Sequence, residues 1–324
     1  MSKTEQPLFN RLALIGFGLI GGSIARAARA QGVVRSIIAT ARSAATRRRV
    51  AELGVADQVV ETNAAAVEGA DLVIVCVPVG ACGEVAREIG PHLAPGAVVS
   101  DVGSVKGSVL RDMAPQLPGN VHFIPAHPVA GTEHSGPDSG FAELFVNRWC
   151  ILTPPPGADS AAVERLSAFW RRLGANVESM PADHHDLVLG ITSHLPHLIA
   201  YTIVGTADEL SEVTRSEVLK FSAGGFRDFT RIAASDPTMW RDIFLANKDA
   251  VLEMLGRFSE DLSELTRAMR SGDGQTLFDH FARTRAIRRG IVEIGQDSPA
   301  PDFGRPHPGL PAEPLPRPYA ADNE

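Results

Sequence analysis

The sequence feature that most constrains the fold lies near the start of the chain. Gly16-Phe17-Gly18-Leu19-Ile20-Gly21 follows an apolar run at residues 12–15 and opens a helix-like segment at 23–30. In a strand–turn–helix unit the first glycine allows the tight turn, the second lets the backbone approach a pyrophosphate, and the third allows close helix–sheet packing. The helix N-terminus then offers free N–H groups to an anion. We predict a dinucleotide site here; a glycine turn that binds nothing is the alternative. The predicted contacts are Gly16, Gly18, Leu19, Ile20 and Gly21.

Further apolar runs indicate a doubly wound α/β domain. Runs at residues 36–40, 71–77, 97–101 and 121–124 alternate with helix-like segments, as a parallel sheet covered on both faces requires. A strand at 149–153, a helix at 160–173 and a strand at 176–180 complete this half. We therefore predict a Rossmann-type sheet domain over residues 1–182, with Phe169 and Trp170 in its core.

The second half of the chain has helical rather than strand periodicity. Apolar residues recur at spacings of three and four over 187–209, 211–221, 237–265 and 276–294, which is typical of amphipathic helices. We predict an all-α domain over 183–294 that forms a homodimer, because broad apolar faces in so small a domain need a partner surface. Residues 295–324 hold eight of the 23 prolines and are predicted to be a disordered Pro-rich tail.

Composition limits which partners and which cellular compartment are expected for the protein. The net charge is −7, from 31 Lys and Arg against 38 Asp and Glu, which does not favour a nucleic-acid partner. Three cysteines form no even disulfide framework and favour a reducing cytoplasm. No signal peptide and no apolar window of about 18 residues is evident, so we predict no membrane segment.

The ribose end of the predicted dinucleotide site lacks its usual acidic residue. No Asp or Glu occurs between Glu5 and Glu52, although an acid is expected about 20 residues after the glycine turn to bind the ribose 2′-hydroxyl. Arg42 and Ser43 stand there instead, and a guanidinium suits a 2′-phosphate. We therefore predict NADP in preference to NAD. A solvated face is the alternative, and we favour it for Arg48 and Arg49.

A second group of polar residues follows later strands of the predicted sheet. Val77 and Pro78 end one strand and are expected to line the cofactor, whereas Ser104 and His127 follow the next two strands. Ligands bind at this carboxyl edge of such sheets. A serine and a histidine on adjacent loops can form a hydrogen-bonded pair with the histidine as general base; a loop histidine without function is the alternative.

Together these motifs resemble those of the prephenate/arogenate (cyclohexadienyl) dehydrogenase family of tyrosine biosynthesis. The resemblance spans about residues 10–290 and rests on five ordered segments, 16–23, 101–106, 127–133, 193–197 and 225–242. It implies a Rossmann domain, a helical dimerisation domain, and oxidative decarboxylation of a cyclohexadiene acid with NAD(P)+. Prephenate is the expected substrate, and arogenate stays open as a second one.

The resemblance also implies roles for individual residues. His127 would take the proton from the ring hydroxyl, Ser104 would bond His127 beside the nicotinamide, and Arg231 would bind the ring carboxylate. Arg227 and Arg231 are four positions apart, on one face if the segment is helical; a surface patch of ion pairs with Asp228 is the alternative. Further residues implied to line or gate the substrate pocket are Thr132, Glu133, Ser193, His197, Arg227 and Trp240.

Three other interpretations remain at this stage. The histidines at 184, 185, 194 and 197 are not predicted to bind a metal, because Pro196 breaks their helical spacing and no ordered acid cluster accompanies them. A dehydrogenase of the β-hydroxyacid or imine-reducing type would share the glycine turn but rely on a lysine on a long helix. A non-catalytic NADP-sensing dimer would need neither Ser104 nor His127.

Overall fold

The structure is a computed structural model that describes residues 6–132, 134–209, 220 and 224–293. It forms two compact units, up to residue 260 and from residue 261 onward, and each is described by itself. The predicted division at residue 182 stays a prediction. The helix predicted at 211–221 and the tail at 295–324 lie outside the described residues, apart from the helical residue Lys220.

The first unit is built on a six-stranded parallel sheet with the order β3-β2-β1-β4-β5-β6. Its order reverses between β1 and β4, which is the switch point where ligands bind in such sheets. The Rossmann-type fold is therefore confirmed. The strands are β1 Phe9–Ile15, β2 Val34–Thr40, β3 Gln58–Val59, β4 Leu72–Val75, β5 Val98–Asp101 and β6 His122–Phe123.

Helices cover both faces of this sheet. Along β1, Leu12 and Leu14 enter one buried cluster, whereas Ala13 and Ile15 enter the other, because successive side chains of a strand point to opposite faces. The continuous apolar run thus fills two cores at once. The helices that follow the strands are α1 Leu19–Gln31, α2 Ala44–Leu53, α3 Asn63–Val67, α4 Cys82–Ile89 and α5 Lys106–Met113.

A second, three-stranded sheet corrects part of the prediction. The strands predicted at 149–153 and 176–180 do not join the main sheet: β7 Ala126–Pro128 pairs antiparallel with β8 Trp149–Leu152, which pairs parallel with β9 Asn176–Ser179. Pro125 has no N–H to donate to a ladder, and it separates β6 from β7. Between β8 and β9, α6 Ser160–Arg172 buries Phe169 and Trp170, as predicted.

All regular structure in the described residues after 181 is helical, as predicted. A single π-helical turn, Gly190–His194, lies just before Pro196, which has no N–H for the carbonyl of Thr192. The other helices of the first unit are α7 Ala182–Leu189, α8 Leu195–Asp208, α9 Gly224–Thr230, the 3₁₀ turn Arg231–Ala234, α10 Pro237–Ala246 and the first part of α11 Lys248–Ser271. The second unit holds the end of α11 and α12 Gly274–Glu293, which Asp273 caps.

One helical stretch meets the length and hydropathy of a membrane span. Residues 182–208 form 27 continuous helical residues with a mean hydropathy of 1.5 in their most apolar window. The sequence was predicted to carry no membrane segment and to be helical over 187–209. It carries His185 and Asp186, which are both buried against residues of the sheet domain. These contacts are typical of a helix that packs within a folded domain, since ionised side chains are costly in lipid.

Candidate active site

The glycine turn has the shape that a pyrophosphate needs. Gly16 has φ +90°, and a Cβ there would lie 2.5 Å from the carbonyl oxygen of Cys76. A Cβ on Gly21 would lie 2.5 Å from the carbonyl oxygen of Gly16, whereas one on Gly18 would meet open space. Gly18 is the N-cap of α1 and no side chain caps that end. The free N–H groups and the open approach at Gly18 therefore fit a dinucleotide phosphate.

The neighbouring strand end completes this edge. The N–H of Cys76 donates to the carbonyl of Ile15 at 2.6 Å, so the chain after β4 runs beside the glycine turn. Val77 is half-buried and Pro78 is exposed immediately after it. Both residues predicted to line the cofactor thus follow β4 at the switch point.

At the ribose end, the structure assigns a separate role to each polar residue. Ser43 is the N-cap of α2, and its hydroxyl accepts the N–H of Thr46 at 3.0 Å. Arg47 donates to the carbonyls of Ala41 and Arg42 and so holds the turn after β2. The Arg42 side chain is exposed and makes no hydrogen bond to the described residues. Its guanidinium is available to a ligand.

Arg49 is exposed, as expected, but it also forms ion pairs that were not predicted. Arg49 pairs with Asp138 at 2.6 Å and with Glu52 at 3.0 Å. Asp138 lies on the segment that follows the His127 strand, so Arg49 ties α2 to that segment. No local pattern predicts this pairing, because the two residues are 89 positions apart. Arg48 is exposed, as expected.

A buried ion pair joins the Ser104 loop to the His127 strand. Lys106 and Asp101 are fully buried and bonded to each other. Lys106 Nζ also donates to the carbonyl of Ala126 at 2.7 Å, and Asp101 accepts the N–H groups of Gly103 at 2.7 Å and Ala126 at 3.2 Å. Buried charges are tolerated when they are paired and hydrogen-bonded in this way. The pair therefore fixes the backbone on either side of the site.

His127 is the first member of a buried chain of three side chains. Its Nδ1 lies 2.8 Å from Nε2 of His185, and Nδ1 of His185 lies 2.8 Å from Asp186 Oδ1. The other ring nitrogen of His127 is Nε2, and it makes no hydrogen bond to the described residues. It is also not completely enclosed by them. We call His127, His185 and Asp186 the relay. The Nε2 atom of His127 stays accessible at the end of the relay.

Asp186 anchors the relay to the sheet domain. Its carboxylate accepts the N–H groups of Lys106 at 2.7 Å and Gly107 at 2.8 Å, at the start of α5. Asn247 donates to the carbonyl of Asp186 at 2.8 Å and lies 2.9 Å from Nδ1 of His194. An acid from α7 therefore caps a helix of the sheet domain and fixes the histidine beside it.

The predicted hydrogen bond between Ser104 and His127 is absent from the described residues. The Nδ1 of His127 is taken by His185 instead. Ser104 is half-buried on the loop between β5 and α5. Ser104 lies on the loop after β5, as predicted, whereas His127 lies within β7 and not on a loop, because it pairs with Ile151 of β8. The partner of His127 is His185, which was not predicted.

Several predicted substrate residues do come together on the helical side. His197 stacks on Trp240 with ring centroids 3.6 Å apart, and its Nδ1 lies 2.9 Å from the carbonyl of Ser193. Burial lowers the pKa of His197 and the charge of Arg231 lowers it further, whereas the hydrogen bond to the carbonyl of Ser193 raises it. The Trp240 Nε1 is buried without a hydrogen-bond partner among the described residues. A bound polar group is one way to satisfy it.

Other predicted substrate residues are not joined to this cluster. Arg227 pairs with its neighbour Asp228 at 3.2 Å, and both side chains are exposed. This agrees with the alternative prediction that Arg227 belongs to a surface patch of ion pairs. The helix α9 ends at Thr230 and Arg231 begins a 3₁₀ turn, so the two arginines do not share one regular helical face. Thr132 accepts the N–H of His134 at 3.3 Å. Glu133 lies outside the described residues.

Burial determines the charge state of the central histidine. It lowers the pKa of His127 well below its usual value, and the nearby His185 and Lys106 act in the same direction. His127 is therefore neutral at pH 7 and has a free lone pair, as a general base requires. No group of metal-ligating side chains occurs among the described residues.

A cavity of about 850 Å³ lies beside α5 on the far side of the relay. It is bordered by Gly107, Thr153, Asp186 and Asn247, among others. Asp186 is the only relay residue on its border, and none of the residues predicted from the sequence contributes to it. We therefore do not identify this cavity with the substrate site.

The fold and the site define the class of protein. The first unit combines a Rossmann-type sheet, a phosphate-binding turn, a buried neutral histidine and an all-helical segment. This arrangement is that of an NAD(P)-dependent oxidoreductase. Two family descriptions match the sequence: "Prephenate dehydrogenase, nucleotide-binding domain" over residues 24–179 and "Prephenate dehydrogenase, dimerization domain" over 181–283. The chain belongs to the prephenate dehydrogenase family.

Individual relatives agree with this assignment. The chain is 42% identical to the cyclohexadienyl dehydrogenase of Zymomonas mobilis, over 87% of this chain and 96% of that one. It is 34% identical to the prephenate dehydrogenase of Bacillus subtilis, over 86% and 76%. The structure of prephenate dehydrogenase from A. aeolicus with hydroxyphenyl propionate and NAD+ is similar, with a TM-score of 0.81, 31% identity, and coverage of 87% of this chain and 98% of that chain.

Proposed function

We propose that this protein oxidises and decarboxylates prephenate with NAD(P)+, giving 4-hydroxyphenylpyruvate for tyrosine biosynthesis. The observation that carries the proposal is the accessible, unpaired Nε2 of a neutral His127 at the sheet edge that also bears the glycine turn. Family membership favours this reaction over the β-hydroxyacid, imine-reducing and non-catalytic alternatives.

The residues of this chain divide the work between two sides of the cleft. His127 accepts the proton of the ring hydroxyl at Nε2, while the bound nicotinamide supplies the hydride acceptor. Ser104 borders the cofactor, and the guanidinium of Arg231 binds the ring carboxylate, with Ser193, His197 and Trp240 enclosing the ring. Loss of the carboxylate as carbon dioxide makes the ring aromatic, so the protein has chiefly to position the reactants. Thr132, Glu133 and Arg227 are proposed to gate the pocket.

NADP+ is the proposed preferred cofactor. No carboxylate stands at the end of β2 to repel a 2′-phosphate, and the exposed Arg42 has no hydrogen bond to the described residues. Ser43 contributes by capping α2, whose N-terminus lies beside this position. NAD+ is the alternative cofactor, since Arg42 can stack on the adenine and serve both dinucleotides alike.

The substrate and the cofactor are tested together. Purified protein is mixed with prephenate and either NADP+ or NAD+, and the nicotinamide and aromatic products are followed by absorbance and mass. We expect one carbon dioxide and one 4-hydroxyphenylpyruvate for each reduced nicotinamide. Arogenate, which would give tyrosine, is the parallel assay. Absence of reduction with both acids and both cofactors would reject the proposed function.

A homodimer through the helical segment is also proposed. Large apolar side chains there are strongly exposed in the single chain, and exposed apolar patches of this kind mark protein interfaces. In the second unit, Phe278 is 66% exposed, and Phe281 and Ile287 are each 57% exposed. In the first unit, Leu245 and Leu252 are exposed by 67% and 61%.

A cytoplasmic location is proposed on the basis of the cysteines. Cys76, Cys82 and Cys150 are all free thiols, and Cys82 and Cys150 are buried. Burial raises the pKa of Cys82 to about 12, so its thiol is protonated and inert toward exchange. Fractionation of cells with an antibody to the protein tests the location.

A further inference from the structure

We propose that His185 and Asp186 are positioning residues that hold His127 in the single tautomer able to act as a base at Nε2. The inference rests on the proposed role of His127 as general base. It concerns two residues that bond neither to the glycine turn nor to His197 and Trp240; of these, His185 bonds His127 directly and Asp186 bonds His185.

The first step is the state of Asp186. Its two carboxylate oxygens accept backbone N–H groups from Lys106 and Gly107 at 2.7 and 2.8 Å. A carboxyl group that accepts from two backbone donors is ionised, and an ionised carboxylate can only accept. The proton shared with His185 therefore sits on His185 Nδ1, 2.8 Å from Oδ1.

The second step concerns His185. This side chain is fully buried, and burial lowers its pKa below the usual value although Asp186 acts in the opposite direction. A neutral imidazole carries one proton. Because that proton is on Nδ1, Nε2 is an acceptor, and the nitrogen facing it across 2.8 Å is Nδ1 of His127. Nδ1 of His127 is therefore the donor.

The donor role of Nδ1 determines the tautomer of His127. It too is neutral, so its one proton is held on Nδ1 and the lone pair lies on Nε2. This nitrogen is the one without a hydrogen bond to the described residues. Without an acceptor at Nδ1, the proton would be free to move to Nε2 and block the base. The two hydrogen bonds from His127 to His185 and from His185 to Asp186 thus hold the proton on Nδ1 of His127 and leave Nε2 free to act as the base.

The surrounding charges support the same arrangement. Lys106 and His194 also face His127 and lower its pKa, so they oppose a second proton on the ring. Asp101 is neutralised by its bond to Lys106. Asp186 is the carboxylate of the relay, and it partly offsets the positive charge that forms when His127 takes a proton, as the acid of a catalytic triad does.

The test compares His185→Gln with His185→Leu. Gln can still accept from Nδ1 of His127, whereas Leu of similar size cannot. We expect His185→Leu to lose kcat/KM for prephenate by about 10²- to 10⁴-fold with unchanged affinity for the cofactor. His185→Gln should recover to within about tenfold of the wild type. Loss of less than threefold in His185→Leu, or equal loss in both variants, would overturn the proposal.

A spectroscopic readout keeps the inference separate from the proposed reaction. In wild-type enzyme labelled with ¹⁵N-histidine, the His127 resonances are assigned by their absence in His127→Asn. We expect a protonated Nδ1 and an unprotonated Nε2 without any substrate present, and a mixture of the two tautomers in His185→Leu. A protonated Nε2 in the wild type would overturn the inference even if prephenate is turned over. The expected tautomer without turnover would reject only the proposed reaction.

Discussion

The carboxylate of Asp186 caps the helix that begins at Lys106, although the two residues are 80 positions apart in the chain. The same carboxylate bonds His185, which in turn bonds His127. A single acid therefore aligns the start of α5, the loop that carries Ser104 and the proposed base. This coupling explains why the helical segment after residue 181 matters for the chemistry at the sheet edge.

The first prediction concerns the buried charge of Lys106. Its replacement by Met leaves Asp101 buried without its cation, and removal of one member of a buried pair typically costs about 3–5 kcal/mol. We expect Lys106→Met to lower the free energy of unfolding by that amount in urea titrations. Lys248→Met, at an exposed position, is the control and should change it by less than about 0.5 kcal/mol. A loss below about 1 kcal/mol in Lys106→Met would show that Asp101 is solvated or otherwise paired.

The parts of the structure that the sequence predicted depend on local patterns. The glycine turn, the long apolar strands and the helices carry their signals within ten to twenty residues, so the Rossmann-type fold and the helical second half followed. The strand at Gln58–Val59 has no apolar run, and β7 has only three residues, so neither was expected. The His127–His185 contact joins residues 58 positions apart. No periodicity encodes such a contact.

The second prediction concerns substrate affinity. The charge of Arg231 reaches the ring of His197, which stacks on Trp240. Loss of a guanidinium–carboxylate contact costs roughly 1.5–3 kcal/mol, so Arg231→Ala should raise KM for prephenate by about 10- to 150-fold. The KM for cofactor should stay unchanged. Arg257→Ala, an exposed arginine paired with Glu253, is the control; an unchanged substrate KM in Arg231→Ala would make Arg231 a structural residue only.

The third prediction concerns cofactor choice. If the exposed Arg42 binds a 2′-phosphate, wild-type kcat/KM is higher for NADP+ than for NAD+. Arg42→Ala should then reduce the NADP+ value by about 10- to 150-fold and leave the NAD+ value unchanged, because one charge-assisted contact is worth roughly 1.5–3 kcal/mol. Arg48→Ala, at an exposed arginine on the helix α2 that follows Arg42, provides the comparison. A tenfold preference of the wild type for NAD+ would contradict the account of the ribose end.

The fourth prediction concerns assembly. Phe278 and Phe281 are mostly exposed in the single chain, so the double change Phe278→Glu and Phe281→Glu should convert a dimer into a monomer in light scattering at micromolar concentration. Trp149→Glu changes an apolar side chain of the sheet domain that is 41% exposed and should stay dimeric. A monomeric wild-type protein would refute the proposed dimer.

The fifth prediction concerns stability at acid pH. Burial lowers the pKa of His127 and His185, and it lowers that of His194 to about 4. Below about pH 6.5 the unfolded chain therefore binds protons that the folded chain does not, and the free energy of unfolding falls as the pH falls. Between pH 6.5 and pH 5, His194 alone should account for about 1.5 kcal/mol. Urea titrations at both pH values should show a smaller drop in His194→Asn than in the wild type or His92→Asn; equal drops would contradict the burial of a neutral His194.

The most direct test of the account is the turnover of His127→Asn with prephenate. Asn can keep the contact to His185 but has no basic nitrogen, and a general base typically contributes about 10²- to 10⁴-fold. We predict a loss of kcat in that range, normal cofactor binding by fluorescence titration, and a full rate in the exposed control His92→Asn. Since burial holds the pKa of His127 well below its usual value, wild-type kcat/KM should also stay constant down through pH 6.5 and fall only at lower pH. A kcat of His127→Asn within threefold of the wild type would contradict the assignment of His127 as the base.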